Sequence, residues 1–314
     1  MTDTCARRVI AVVSTYHPGP DAVANVERVV AQCDEVVVVD DGSGPEFQDE
    51  LSALVATGAR LVSLSRNSGI AAALNAGIRS AELGERDLVV TFDQDSNIRD
   101  GFVGRLVSTL DDASAAGLDV AIVAPASFAG VQQTGRELDH GFVEALRPIQ
   151  SGMLVTASAL KQVGDFDESY FIDLVDVEYY LRVREAGLTS IAVEGLDLPH
   201  ELGQFQTMRV LGRRVSTTLS TPFRYYYRSR NRRALNRRYR RTAASFLRRE
   251  TMRDIAYFVL VVAFARPRRG ILQVLRRGMR DAGQGRMGRI PDEVEALASS
   301  VTWRGQPIDH PGSA

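Results

Sequence analysis

Only two cysteines, Cys5 and Cys33, occur in 314 residues, and their spacing suits neither a metal site nor a redox pair. That excludes a disulfide framework and fits a reducing compartment. Long hydrophobic runs are missing too. The longest, Ile255–Ala265, holds 11 residues, against the ~20 needed to cross a bilayer as a helix. The opening stretch MTDTCARRVIAVVS has no long apolar region with a small-residue cleavage site, so no signal peptide is expected. Lysine is nearly absent, Lys161 standing alone among 38 basic residues, a bias that base composition of the coding sequence explains as well as function does. What is present is ordinary for a soluble globular chain: 45% apolar and 25% charged residues, in a length that suits one large domain or two smaller ones. The net charge of −1 conceals a division. Residues 1–200 carry 14 Lys+Arg against 31 Asp+Glu, whereas 201–290 carry 23 arginines against 4 acids. An acidic head and a basic tail call for different partners.

The head alternates apolar strands with helices. Val9–Ser14, Glu35–Val39, Arg60–Ser63 and Leu88–Phe92 read as strands, with helices over 21–30, Glu46–Thr57 and Ser68–Ala81 between them. Strands apolar throughout are those of a parallel sheet covered on both faces, here an open doubly wound α/β domain. Beyond it, Phe102–Leu110, Ala157–Val163 and Tyr170–Ala186 read as helices; Val120–Ala124, Pro148–Thr156 and Ser190–Glu194 read as strands, and 127–141 as loop. Basic amphipathic helices follow from Thr221 to about Arg289. The pattern gives domains at 1–220 and 221–290 and a loose tail at 291–314.

Ligands of such sheets bind at the carboxyl ends of the strands. Those ends carry Thr15, Asp40 and Asp41, Arg66 and Asn67, and Asp93 and Asp95. The Asp-Gln-Asp after Leu88–Phe92 puts two hard oxygen ligands within reach of one divalent cation, which can hold a diphosphate. Each motif also has a plainer reading: Asp-Asp-Gly and Asp-Gln-Asp-Ser are turn sequences, Arg66 a loop arginine and Asn67 a helix cap. Convergence of four polar strand ends on one edge favours a nucleotide site.

These residues resemble nucleotide-diphospho-sugar glycosyltransferases of family 2, with the GT-A fold. VVVVDDGSG (36–44), RNSG with AAALNAGI (66–78), FDQDS (92–96) and GDFDESYFIDLVDVEYYLR (164–182) carry the likeness, dispersed over roughly residues 9–235. FDQDS, FIDLVDVE and YYYRSRN are most similar to the subgroup that transfers rhamnose from dTDP-L-rhamnose to bacterial surface polysaccharides. The resemblance implies an inverting enzyme in which Asp93 and Asp95, with His200 as third ligand, hold Mg²⁺ or Mn²⁺. It implies that Thr15, Asp40, Asp41, Arg66, Asn67 and Asp93 meet the nucleotide-sugar donor, with His17 standing where relatives often have Asn. Asp176 aligns with the catalytic base, and Asp173, Glu178 and Gly152 lie on the acceptor side. On a helix, Asp173 and Asp176 would share a face and Glu178 would point away.

Aromatics interleave with arginines in FRYYYRSRNRRALNRRYRR (223–241). Alone this could stack single-stranded nucleic acid. The resemblance instead implies an acceptor glycan on a polyprenyl diphosphate, with the basic helices, Ile255–Ala265 and Ile271–Leu275 lying on anionic lipid at the cytoplasmic face of the membrane, or pairing with a second copy. No nucleic-acid partner is expected. A Gly-x-Gly-x-x-Gly string at Gly283–Gly288 follows no strand and is not a dinucleotide motif. The alternatives are another family 2 transferase using a galactofuranosyl or UDP-hexose donor, or an inactive membrane-bound assembly factor. A sugar-nucleotide pyrophosphorylase would want a Gly-rich basic loop where Thr15-Tyr16-His17-Pro18 stands.

Overall fold

The computed structural model describes residues 7–199, 204–210, 213–304 and 306–307. The chain divides into two compact units. One comprises 1–168 and 175–200; the other comprises 169–174 and 201–314.

The first unit is built on one mixed sheet. Strands β1 (Val9–Thr15), β2 (Glu35–Asp40), β3 (Arg60–Ser63) and β4 (Leu88–Asp93) alternate with helices α1 (Ala22–Val30), α2 (Gln48–Ala56) and α3 (Ile70–Ser80). They pair in parallel in the order β3-β2-β1-β4. The β-branched runs that predict these strands are their buried cores: Ile10 to Val13 and Val36 to Val39 are all at most 4% exposed. After α4 (Phe102–Ala115) come β5 (Val120–Phe128) and an excursion of short strands, β6 (Val131–Gln132), β7 (Thr134–Glu137) and β8 (Val143–Ala145). The stretch 127–141, expected as loop, thus contains strand pairings. Strand β9 is confined to Met153–Thr156 and runs antiparallel between β4 and β5. Helices α5 (Ala157–Val163) and α6 (Val175–Glu185) precede β10 (Thr189–Leu198), which returns parallel to β5.

The second unit begins with a hairpin, β11 (Gln204–Val210) and β12 (Arg213–Leu219), so the boundary expected at 220 falls earlier. Helices α7 (Arg224–Arg238), α8 (Ala244–Phe264) and α9 (Arg268–Gly283) follow; the tail expected to be loose carries α10 (Asp292–Ser299). Short strands β13 (Ala265–Arg266), β14 (Thr302–Trp303) and β15 (Gln306–Pro307) add edge pairings.

The aromatic-arginine run is not a solvated face. Tyr225, Tyr226 and Tyr227 are each 1% exposed and form the core with Phe171, Val261, Phe264, Ile271 and Val274. Gly278 lets α9 meet α7: a Cβ there would lie 2.4 Å from the Tyr226 carbonyl oxygen. Arg230 is fully buried over the Tyr226 and Tyr227 rings and donates to the carbonyls of Ser169, Tyr170 and Gly288. Asn231 Nδ2 meets the carbonyls of Tyr170, Ile172 and Asp173 at 2.7–3.0 Å. Between them they hold the segment 169–174, where Phe171, Asp173 and Leu174 take φ of 64°, 64° and 62°. Such left-handed backbone costs about 1–3 kcal/mol per non-glycine residue and persists only where its surroundings over-determine it. Ile271 and Leu275 are buried, which removes them from the lipid face expected of them.

Candidate active site

Register brings the strand ends together. Thr15 pairs with Asp40, Asp40 with Ser63, and Ser14 with Asp93, so four loops leave one edge of the sheet side by side. Asp40 is buried, and its Oδ1 accepts from the backbone N–H of Ser43 at 3.0 Å and the Ser43 hydroxyl at 2.6 Å, leaving Oδ2 for another donor. The Ser43 hydroxyl in turn accepts from the His17 N–H at 2.8 Å, tying the loop after β1 to the turn after β2. Asp41 spends both oxygens on the N–H groups of Ser68 and Gly69, at 2.7 and 2.8 Å. Burial raises its carboxyl pKa, against the pull of those two bonds. Asp41 is therefore a clamp on the 66–69 loop. Gly42, at φ 76°, sits against that loop: a Cβ would fall 2.5 Å from the Arg66 carbonyl carbon. Arg66 is exposed. Asn67 does not cap α3, whose N-cap is Gly69; its Oδ1 is buried without a hydrogen-bond partner.

Thr15 is likewise engaged internally. Its hydroxyl donates to Gln94 Oε1 and its carbonyl accepts from the Asp41 N–H at 2.8 Å. Gln94, the middle residue of Asp-Gln-Asp, also accepts from the Tyr16 N–H at 3.0 Å and donates to the His17 carbonyl at 3.5 Å. It fastens the β1 loop to the end of β4. The rings of Tyr16, His17 and Phe47 stack at 3.9 and 4.5 Å between centroids.

Asp93 is half-buried and Asp95 exposed. Asp93 Oδ1 accepts from Gln150 Nε2, and Gln150 Oε1 is buried with no partner. Carboxylate and amide oxygens are the hard donors that Mg²⁺ and Mn²⁺ take, so Asp93, Asp95 and the unsatisfied Gln150 Oε1 fit such an ion by chemistry. Among the described residues no three His, Cys, Asp or Glu side chains cluster to hold a metal by themselves. His200 lies outside the described residues.

On the acceptor side, the expected shared helical face does not exist. Helix α6 starts at Val175, so Asp173 precedes it, in the second unit, where it pairs with Arg224 at 2.7 Å. Asp176 sits in the first turn of α6, its Oδ1 accepting from the Val177 N–H at 2.7 Å. Glu178 is fully buried and holds the Arg182 guanidinium at 2.9 Å. Gly152 is buried with its Cα packed towards Leu198 and Phe102, where a Cβ would meet side chains at 2.9 and 3.1 Å. Glu178 and Gly152 thus have packing roles. Asn75 braces the turn before the 169–174 segment, exchanging bonds of 2.8 and 2.9 Å with the Phe166 backbone.

Gln94 and Gln150 escape sequence reasoning, being neutral residues whose partners lie far along the chain, and Ser43 because a serine three residues after an aspartate reads as a turn. The only signal was the place of Gln94 between two aspartates.

Residues 10–150 match the family model described as glycosyl transferase family 2. Over 244 residues the chain is 30% identical to the dTDP-rhamnosyl transferase RfbF of Shigella flexneri, covering 71% of this chain and 78% of that protein. The chain belongs to glycosyl transferase family 2. Among solved structures, this family 2 glycosyltransferase resembles GalNAc-T7 with UDP, GalNAc and Mn²⁺ at TM-score 0.51 and 14% identity, covering 67% of this chain and 45% of that one. That likeness shows the GT-A fold. Glucosyl-3-phosphoglycerate synthase from Mycobacterium tuberculosis, in complex with Mg²⁺ and UDP, aligns over 68% of this chain and 88% of its own, at 18% identity and TM-score 0.44. The family match spans the strand ends up to Gln150 and stops short of Asp176.

Proposed function

We propose that this enzyme is an inverting, metal-dependent rhamnosyltransferase that moves rhamnose from dTDP-L-rhamnose to a glycan carried on a polyprenyl diphosphate. It would work at the cytoplasmic face of the plasma (inner) membrane, in cell-surface polysaccharide synthesis. The observation that carries the donor is the 30% identity to the Shigella flexneri dTDP-rhamnosyl transferase. Asp40 Oδ2 and the unsatisfied Asn67 Oδ1 are acceptors suited to the N–H and hydroxyl groups of a nucleoside. Asp93 and Asp95 would hold Mg²⁺ or Mn²⁺, with Gln150 Oε1 beside them and His200 as a further ligand. When bound, the ion supplies charge neutralisation for the departing diphosphate.

Asp176 is the base in this reading. The acceptor oxygen forms its bond to C1 from the face opposite dTDP, while the C1–O bond breaks with its electron pair leaving on the diphosphate. The hydroxyl proton passes to the Asp176 carboxylate. A carboxylate is too weak a base to ionise an alcohol in advance and takes that proton only late, as the attacking oxygen becomes acidic. Asp176→Asn is expected to lower transfer about 10²–10⁴-fold with dTDP affinity unchanged; full retention of transfer would remove the residue from this role. Donor hydrolysis across dTDP-, UDP- and GDP-sugars tests the sugar. Fastest turnover of dTDP-L-rhamnose is expected, and a preference for a UDP-hexose would replace the donor.

A further inference from the structure

Helix α8 buries its acids and exposes its bases. Glu250 and Asp254 are 3% and 2% exposed, the first paired with Arg253 and the second with Arg228 and Arg232. On the outer side lie Met252, Ile255 and Val259, 63%, 50% and 64% exposed, three of the seven large hydrophobic residues exposed among those described. Their spacing of three and four residues places them on one strip of the helix. One turn before Met252 the same strip carries Arg248, beside Arg249; beyond the end of the helix follow Arg266 and Arg269. All four are exposed, and among the described residues none forms an ion pair. The strip is therefore an apolar centre with free guanidinium groups at its N-terminal end, on a helix about 30 Å long at 1.5 Å per residue, and two more exposed arginines follow in sequence after the helix.

We infer that this face of α8 is the surface by which the enzyme lies on an anionic lipid layer. The inference rests on the membrane part of the function proposed above and names the face that serves it. An isolated arginine is satisfied by water and an isolated exposed valine needs no explanation. Together on one strip they need a partner that offers negative charge and an apolar phase at once, and a headgroup layer over acyl chains does so. A second copy of the chain fits worse. Pairing two such strips would supply apolar surface but no counter-charge, because the acids of α8, and Asp281 of α9, are already buried in ion pairs. The strip also differs from the face first expected from sequence, since Val261, Phe264 and Ala265 of the same apolar run are fully buried.

The test is sedimentation of the full chain with vesicles of phosphatidylcholine plus phosphatidylglycerol, and with phosphatidylcholine alone. Wild type is expected to pellet with the mixed vesicles, to stay in solution with pure phosphatidylcholine, and to be released by high salt. Arg248→Gln with Arg249→Gln should weaken the partition coefficient about 25-fold, taking about fivefold per arginine. Ile255→Gln with Val259→Gln should weaken it by at least about tenfold. Unchanged circular dichroism and donor hydrolysis in both variants confirm that fold and site are intact. If wild type binds the mixed vesicles and both variants bind equally well, this face is wrong while the membrane reading stands. If wild type binds neither vesicle, membrane reading and face fall together. A lipid-free oligomer that the Ile255→Gln, Val259→Gln variant breaks would make the occupant a second copy and overturn the inference.

Discussion

Asp40 and Asp41, at 4% and 5% exposed, are nearly as buried as Asp254 and Asp281, at 2% and 0%, but the two pairs have opposite neighbours. At the strand ends the donors are neutral: the N–H and hydroxyl of Ser43 for Asp40, the N–H groups of Ser68 and Gly69 for Asp41. In the helical unit they include guanidinium groups: Arg228 and Arg232 on Asp254, Arg277 on Asp281. A carboxylate matched by arginine is neutralised and becomes a structural tie. One held by neutral dipoles keeps its net charge, and a sheet edge that gathers such charges attracts cations. For Asp41, burial raises the carboxyl pKa, and the two N–H bonds from Ser68 and Gly69 pull against that rise in favour of the charged form. The acidic head and basic tail visible in the composition thus become a candidate site in one unit and a cross-linked scaffold in the other.

Substitutions that swap the two kinds of carboxylate for amides would break this contrast most directly. Asp254→Asn leaves Arg232, itself 5% exposed, without its charge partner. The loss should be about 3–5 kcal/mol of unfolding free energy by chemical denaturation. Asp40→Asn, equally buried, should cost within about 1 kcal/mol of stability, because the amide oxygen can still accept from Ser43. It should instead weaken dTDP binding about 10–100-fold by calorimetry, the scale of a hydrogen bond to a charged group. Equal stability losses at the two positions would erase the distinction. A smaller effect sharpens it: Asn231→Ala removes the donor shared by three carbonyls of the 169–174 segment and should destabilise by about 1–3 kcal/mol. Thermal unfolding would read that loss.

The strand edge was legible because each apolar β-branched run ends on an acid or a hydroxyl, and periodicity locates such ends within a residue. Helix α6 was not. Its expected start at Tyr170 moves to Val175 because Phe171, Asp173 and Leu174 are left-handed. What holds them so is Asn231 and Arg230, about sixty positions away, beyond the reach of any local window. The tyrosines and Arg230 of YYYRSRN read as a surface motif because arginine is seldom buried. Here three backbone carbonyls and two aromatic rings replace its water. The orphan oxygens of Asn67 and Gln150 were beyond sequence reasoning for another reason: an unsatisfied acceptor is a property of packing, and composition carries no sign of it.

In the proposed function the Asp93–Asp95 end of β4 holds a metal and the donor diphosphate. Calorimetric titration of dTDP into the chain, with Mn²⁺ and again with EDTA, tests it most directly. The expected result is binding that depends on the metal in wild type, and weak binding unaffected by the metal in Asp93→Asn with Asp95→Asn. Equal affinity with and without chelator in wild type, or a double variant that still gains affinity from Mn²⁺, would contradict it.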